Sequence, residues 1–228
     1  MTIVYCANRA IYHLLPTALN SLLSNNSNIK QIYLFIEDDL IDFISHPLIK
    51  FINVNNYPFI FKKGINCTKR FPYMAMVRCY LSKILSEDKV LYLDVDTTID
   101  GDLTELWNIN MSNNMIAGIK EDWKWDYYNS GVLLMNLKAI RESGLDDTLI
   151  DILQKCKMQF PDQDAMNFVF KRYKMPVDNK FNVLGRDEVY KQEIIVRHYA
   201  GIIKPWKEEA SEKDIAFWKR YFTESINS

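Results

Sequence analysis

Two aspartates one residue apart end an apolar run in residues 89–107, KVLYLDVDTTIDGDLTELW. The continuous run at 90–93 is what a buried central strand requires, and it stops abruptly at Asp94 and Asp96. Side chains alternate along an extended chain, so both carboxylates project to one face with Val95 between them, close enough to share a cation. A purely structural reading exists, since Asp is common wherever a strand turns. The other acids of the stretch have a structural explanation. Asp100-Gly101 signals a turn, and Asp102 followed three residues later by Glu105 has the pattern of a capping box opening a short helix.

The elements around this pair alternate. Ile3, Val4 and Tyr5 begin a strand, and Leu14, Leu15, Ala18, Leu19, Leu22 and Leu23 recur at helical spacing behind it. Residues 31–36 and 51–54 read as further strands, and the apolar spacing over 73–85 predicts an amphipathic helix delivered just before the central strand. Arg78 interrupts that helical pattern and belongs in solvent unless something anionic lies nearby. Strands are expected at 115–119, 131–137 and 194–196, and helices at 145–158, 163–173 and 213–222. Such alternation predicts a parallel-rich α/β sheet whose ligands bind beyond the carboxyl ends of its strands, where Asp94 and Asp96 lie. Between two of the strands, EDWKWDYYNS packs Trp123, Trp125, Tyr127 and Tyr128 among Lys124, Asp126 and Asn129. That interleaving suits a half-exposed surface, and rings with polar edges are platforms for sugar faces.

With 228 residues, 48% hydrophobic and 25% charged, the chain is long enough to bury a core as one domain spanning 1–228. A net charge of -1 leaves no electrostatic footprint for nucleic acid. The opening MTIVYCANRA lacks the pattern of a signal peptide, and no apolar run is long enough to span a bilayer. Cys6, Cys67, Cys79 and Cys156 are scattered without a CxxC pair, which argues for reduced thiols in a cytoplasmic protein and against zinc or a disulfide framework.

Four segments, LYLDVDTTIDGDLTELW, NSGVLLMNL, PDQDAMN and HYAGIIKPW, occur in an order that resembles the family 8 glycosyltransferases. This retaining group includes bacterial lipopolysaccharide galactosyl- and glucosyltransferases and glycogenin. The resemblance implies a GT-A fold, a Rossmann-like α/β architecture with a mixed, mostly parallel sheet flanked by helices. It places Asp94 and Asp96 at the family's DxD and adds His198 as third ligand to a divalent cation. Two hard carboxylates, an imidazole and the donor's phosphate oxygens favour Mn²⁺, with Mg²⁺ as the alternative. By the same resemblance, Gly201 and Lys204 hold the diphosphate, while Arg78, Asn129, Gln163 and Asp164 surround the donor sugar.

Cys6, Ala7 and Asn8 at the end of the first strand, with Val95 inside the DxD, complete the expected nucleotide-sugar contacts. The first strand departs from the family, because where relatives carry an acidic residue and an Asn-Tyr pair this chain has Cys6, Ala7, Asn8, Arg9, Ala10, Ile11 and Tyr12. The tail KRYFTESINS holds few of the basic and aromatic residues that attach some relatives to membranes, so peripheral membrane association has weak support.

The expected activity is metal-dependent transfer of glucose or galactose, with retention, from a UDP-sugar to a hydroxyl of a glycan, glycolipid or glycoprotein acceptor. Gln163, Asp164 and Lys204 are the catalytic candidates, Trp123, Trp125 and Tyr127 the acceptor candidates, and residues 198–206 a closing lid. Two alternatives are a phosphatase of the haloacid-dehalogenase type, suggested by DxDxT after an apolar strand, and a sugar-nucleotide-binding module without transfer.

Overall fold

The architecture follows from one alternation in the first strand, Thr2–Cys6, where Ile3 and Tyr5 enter the core on one side of the sheet and Val4 and Cys6 the core on the other. A strand with apolar residues on both faces has to lie inside a covered sheet. In the computed structural model, which describes residues 1–184, 193–207 and 210–227, that strand is third of seven. The order is Ile49–Asn53, Gln31–Ile36, Thr2–Cys6, Lys89–Leu93, Val132–Asn136, Ile116–Gly118, Lys174–Pro176. Val132–Asn136 alone runs against the others, antiparallel to both neighbours, so the sheet is mixed and mostly parallel as expected.

The antiparallel pairing matters locally. It sets Val132 opposite Leu93, and the Asp94 amide donates to the Gly131 carbonyl at 2.7 Å. The turn entering one strand thus lies beside the aspartates leaving the other.

A second, three-stranded sheet does the remaining assembly. Thr97–Ile99 pairs antiparallel with Val196–His198, which pairs in turn with Val183–Leu184. His198 lies opposite Thr97, and the Tyr199 amide donates to the Asp96 carbonyl at 2.9 Å. Backbone pairing alone carries a residue a hundred positions later to the DxD. The terminal helix Glu212–Tyr221 backs this sheet through Arg197, whose side chain is wholly buried and whose Nε and Nη2 donate to Asp214 Oδ1 at 2.9 and 2.6 Å. Removing one partner of a buried pair strands the other charge, so Asp214→Ala should cost about 3–5 kcal/mol. Chemical denaturation of the variant, read at equal m-value, checks this.

Several expectations are corrected. The 73–85 helix is three short turns, Tyr73–Met76, a 3-10 turn Val77–Tyr80, and Leu81–Ile84, and Arg78 sits in the middle turn with 5% exposure, pointing inward. Asp102 forms no capping box. Its Oδ1 accepts from the Thr104 amide at 2.8 Å, the Thr104–Trp107 helix starts one residue later than the box requires, and Glu105 pairs outward with Lys180. Asp100 is structural as expected, accepting from Arg220 and the Tyr221 hydroxyl. Lys174–Pro176 and the helix Leu137–Ser143 were not expected. The helix is capped by Asn136, whose side chain accepts from the Ala139 amide, and closed by Gly144 at φ 69°. The four cysteines are unpaired. No helix of the described residues is long and apolar enough to cross a membrane.

Candidate active site

Asp94 and Asp96 leave the central strand as the chain turns, and Val95 between them is buried at 3% exposure in the core. That anchors the pair with both carboxylates outward, and any role of Val95 is through its backbone. His198 closes the cluster, with Nε2 at 3.7 Å from Asp94 Oδ2 and 3.5 Å from Asp96 Oδ1. The three ligand atoms lie within 4.8 Å of one another, a spacing that admits one shared cation. Two carboxylate oxygens and one imidazole form a hard donor set of the kind that holds a divalent ion through a few protein ligands while substrate phosphate completes the shell.

The two carboxylates are held differently. Asp94 Oδ1 is occupied by Arg78 Nη2 and the Tyr92 hydroxyl, each at 2.7 Å, which leaves Oδ2 for the cluster. Burial pushes the Asp94 carboxyl above the usual carboxylate range, against the pull of Arg78. Burial acts on Asp96 in the same direction, but hydrogen bonds and charge from His198 and Lys204 outweigh it and hold that carboxyl well below the ordinary range.

Arg78 is the hub of the floor. Its Nη1 donates to the Ser130 carbonyl at 2.6 Å, its Nε to the Ala75 carbonyl at 2.9 Å, and Asp162 Oδ2 lies 3.2 Å from Nε, while the guanidinium stacks on the Tyr92 ring at 4.3 Å. The anionic neighbours it needed are Asp94 and Asp162. Gln163, at the start of the helix Pro161–Val169, accepts through Oε1 from the Ser130 amide at 2.9 Å, and so ties that helix to the NSG turn. Asp164 faces a different way, taking the amides of Gln159 and Phe160 at 3.1 and 2.9 Å and the Tyr127 hydroxyl.

In the NSG turn, Asn129 Nδ2 donates to Glu121 Oε1 at 2.8 Å, and its Oδ1 accepts from the Gly131 amide and from Asn182 Nδ2, both at 2.9 Å. Gly131 is required by close approach. A Cβ built there would stand 2.1 Å from His198 Cε1 and 2.8 Å from Asp94 Oδ2.

Lys204 donates to Asp96 Oδ2 at 2.6 Å and to the Tyr199 carbonyl at 2.7 Å. The expected lid therefore does not wait for a donor to find partners. Trp206 packs on Trp218 with ring centroids 4.7 Å apart, and Pro205 is buried. Only Gly201, at φ 108°, Ile202 and Ile203 stand exposed between these anchors.

At the opposite rim Cys6 and Ala7 are buried, burial pushes the Cys6 thiol up, and the Ala7 amide is taken by the Phe35 carbonyl. Asn8 Oδ1 is shielded and lacks a partner among the described residues. Tyr12 donates to Asp38 Oδ2 at 3.0 Å and accepts from the Glu37 amide at 2.7 Å. Arg9 joins Asp38 at 3.0 Å through Nε. Of the aromatic run, Trp123 and Trp125 are 50% and 95% exposed, while Tyr127 and Tyr128 are 2% exposed, so the half-exposed surface is confined to the tryptophans.

Sequence reasoning brought Asp94, Asp96, His198, Arg78, Asn129, Gln163 and Lys204 to this one strand end. It missed Asp162, Ser130, Glu121 and Asn182. Asp162 lies in the first turn of a helix, where an acid is ordinary, and Asn182 lies outside the four matching segments.

Residues 2–210 match the family described as glycosyl transferase family 8, and the chain belongs to that family. Among its relatives, Glycosyltransferase GlyE of Streptococcus pneumoniae serotype 4 is 27% identical, over 96% of this chain and 60% of its own length. Lipopolysaccharide 1,2-glucosyltransferase of Escherichia coli is 26% identical over 59% of this chain and 49% of its own. The chain thus spans about half to three-fifths of the length of these curated relatives. Its fold is that of solved GT-A glycosyltransferases. The crystal structure of GlyE aligns with a TM-score of 0.78 at 22% identity, covering 97% of this chain and 60% of that one. Galactosyltransferase LgtC, solved with donor and acceptor sugar analogues, aligns at 0.73 and 22% identity, covering 98% and 97%. A dehalogenase-type phosphatase reading of DxDxT has no place in this family.

Proposed function

We propose that this chain is a retaining hexosyltransferase that moves glucose or galactose from a UDP-sugar to a hydroxyl of a glycan, glycolipid or glycoprotein. The relatives named as lipopolysaccharide glucosyl- and galactosyltransferases point to a bacterial surface glycan as acceptor. The observation that carries this reading is the meeting of Asp94, Asp96 and His198 at the end of a central strand, directly above a floor of Arg78, Asn129 and Gln163.

Asp94, Asp96 and His198 would hold Mn²⁺, or alternatively Mg²⁺. When bound, the cation supplies Lewis acidity that neutralises charge on the departing diphosphate. The chain's own groups do the rest. Lys204, already within reach of Asp96, adds a second positive charge at the diphosphate, and the exposed Gly201 offers close backbone approach. Arg78, fixed by two carboxylates and two carbonyls, presents its edge to sugar hydroxyls without rotamer loss. Gln163 stabilises an oxocarbenium-like centre, while Asn8 reaches the uracil edge and Trp123 and Trp125 offer ring faces to the acceptor.

The deciding experiment is a screen of UDP-sugars with Mn²⁺, read by hydrolysis and by thermal stabilisation. Turnover of UDP-glucose or UDP-galactose that EDTA stops, with an α product by NMR, supports the proposal. A β product, or turnover unaffected by EDTA, refutes it. Binding without hydrolysis or transfer would point to the non-catalytic module.

Lys204→Ala should lower turnover by about 10²-fold if its charge steadies the leaving group. Its ion pair with Asp96 is partly buried, with both side chains 21% exposed, and solvent screening keeps its worth to stability small, so the melting temperature should fall only slightly. Steady-state kinetics beside a thermal melt separates the two effects.

A further inference from the structure

Behind the imidazole of His198 lies a chain of polar groups whose direction is fixed at one end. Glu121 is buried at 7% exposure, and its carboxylate accepts from Asn129 Nδ2 at 2.8 Å. The other side of the Asn129 amide is its oxygen, a point settled independently, since the backbone N–H of Gly131 can only donate and does so to Oδ1 at 2.9 Å. Asn182, 1% exposed, brings a group to 2.9 Å from that same oxygen, and two oxygens would repel there, so the group is Nδ2. The Asn182 carbonyl oxygen is consequently the atom 2.9 Å from His198 Nδ1. An amide oxygen only accepts. Nδ1 therefore carries a proton whether the ring is neutral or doubly protonated, and in the neutral ring Nε2 presents its lone pair between Asp94 and Asp96.

We propose that Asn182 is a positioning residue that, with Asn129 and Glu121 behind it, holds His198 in the Nδ1–H tautomer and so keeps Nε2 available as a metal ligand. This rests on the divalent-cation reading above, but the tautomer itself requires no metal to be observed. The device answers a specific hazard. Nε2 faces two carboxylates at 3.5 and 3.7 Å, and a proton on Nε2 would be welcomed by either, converting a ligand set into a closed hydrogen-bonded cluster. Partners that orient a ligating imidazole typically carry about 10–100-fold of metal affinity. Nothing else within hydrogen-bond reach of Nδ1 among the described residues competes for the role.

The test uses the full chain, labelled with ¹⁵N in its histidine rings. There are three histidines, so the His198 signals are identified by their absence from His198→Ala. In the metal-free protein, the ring nitrogens should show Nδ1–H. Asn182→Leu removes the acceptor at nearly constant size, whereas Asn182→Asp keeps an acceptor for Nδ1 while losing the donor to Asn129. The expected result is that Asn182→Leu shifts His198 to Nε2–H and weakens Mn²⁺ binding by calorimetry about 10–100-fold, with Asn182→Asp retaining the tautomer and most of the affinity. Equal loss of affinity in both variants would mean that Asn182 serves packing alone and would overturn the proposal, as would Nε2–H without Nδ1–H in the wild type. If Asn182→Leu does not fold, the wild-type and Asn182→Asp spectra decide: Nδ1–H in both sustains the assignment and Nε2–H without Nδ1–H in either overturns it. Failure of the wild type to bind Mn²⁺ would strike the divalent-cation reading, while the metal-free spectra still judge the tautomer.

Discussion

Asp96→Asn is expected to remove turnover, by at least about 10³-fold, while the protein stays folded. Asp96 is 21% exposed in its side chain, its neighbours are the partly exposed Lys204 and the buried His198, and no other buried side chain among the described residues is paired with it. An amide at this position keeps the shape but loses the charge that a hard cation requires. Asp94→Asn should lose as much activity and also some stability, about 1–3 kcal/mol, because the buried Arg78 loses one of its two carboxylate partners. The contrast is measurable. Kinetics with saturating Mn²⁺ should place both variants at background, and urea unfolding should separate them. Full activity in either variant would end the metal hypothesis.

The second large effect is expected from a single methyl group. In Gly131→Ala the added carbon would enter the space of the His198 ring and crowd Asp94 Oδ2, and the side chain at risk has its other edge pinned by Asn182. Something must move by about an ångström, and displacement on that scale at a reacting centre costs about 10²-fold in rate. The turn itself is not strained by alanine, so circular dichroism should be unchanged. Mn²⁺ affinity should fall with activity, and a variant that kept both would show that His198 is not needed where it stands.

The sheet strands were legible because their apolar runs are buried on both faces, and the DxD because charge at the end of such a run is costly without a purpose. The cluster's third member was legible only by resemblance. Nothing in the local pattern of residues 194–198 says that they pair with Thr97–Ile99, since strand pairing across a hundred residues leaves no periodic trace. Arg78, too, was placed at the site by resemblance and not by its local pattern. Helical periodicity assigns an interrupting arginine to solvent, but a 3-10 turn and two carboxylates from distant segments draw it inward. Asn182 and Glu121 were missed because a polar residue that acts through another polar residue carries no signal of its own. Their meaning lies in which atom donates to which, and that exists only in three dimensions.

The short pairing of Thr97–Ile99 with Val196–His198 also has a consequence in time. The chain is made from its amino end, and contacts distant in sequence form late because their loops are long to close. Asp94 and Asp96 emerge roughly a hundred residues before the histidine that completes their site. During that interval the carboxylates have Arg78 but not His198 or Lys204, and a growing chain is unable to assemble the three-ligand cluster. A cation held by all three groups would therefore be captured only once Val196–His198 has been made, after every strand of the large sheet from Thr2–Cys6 to Lys174–Pro176.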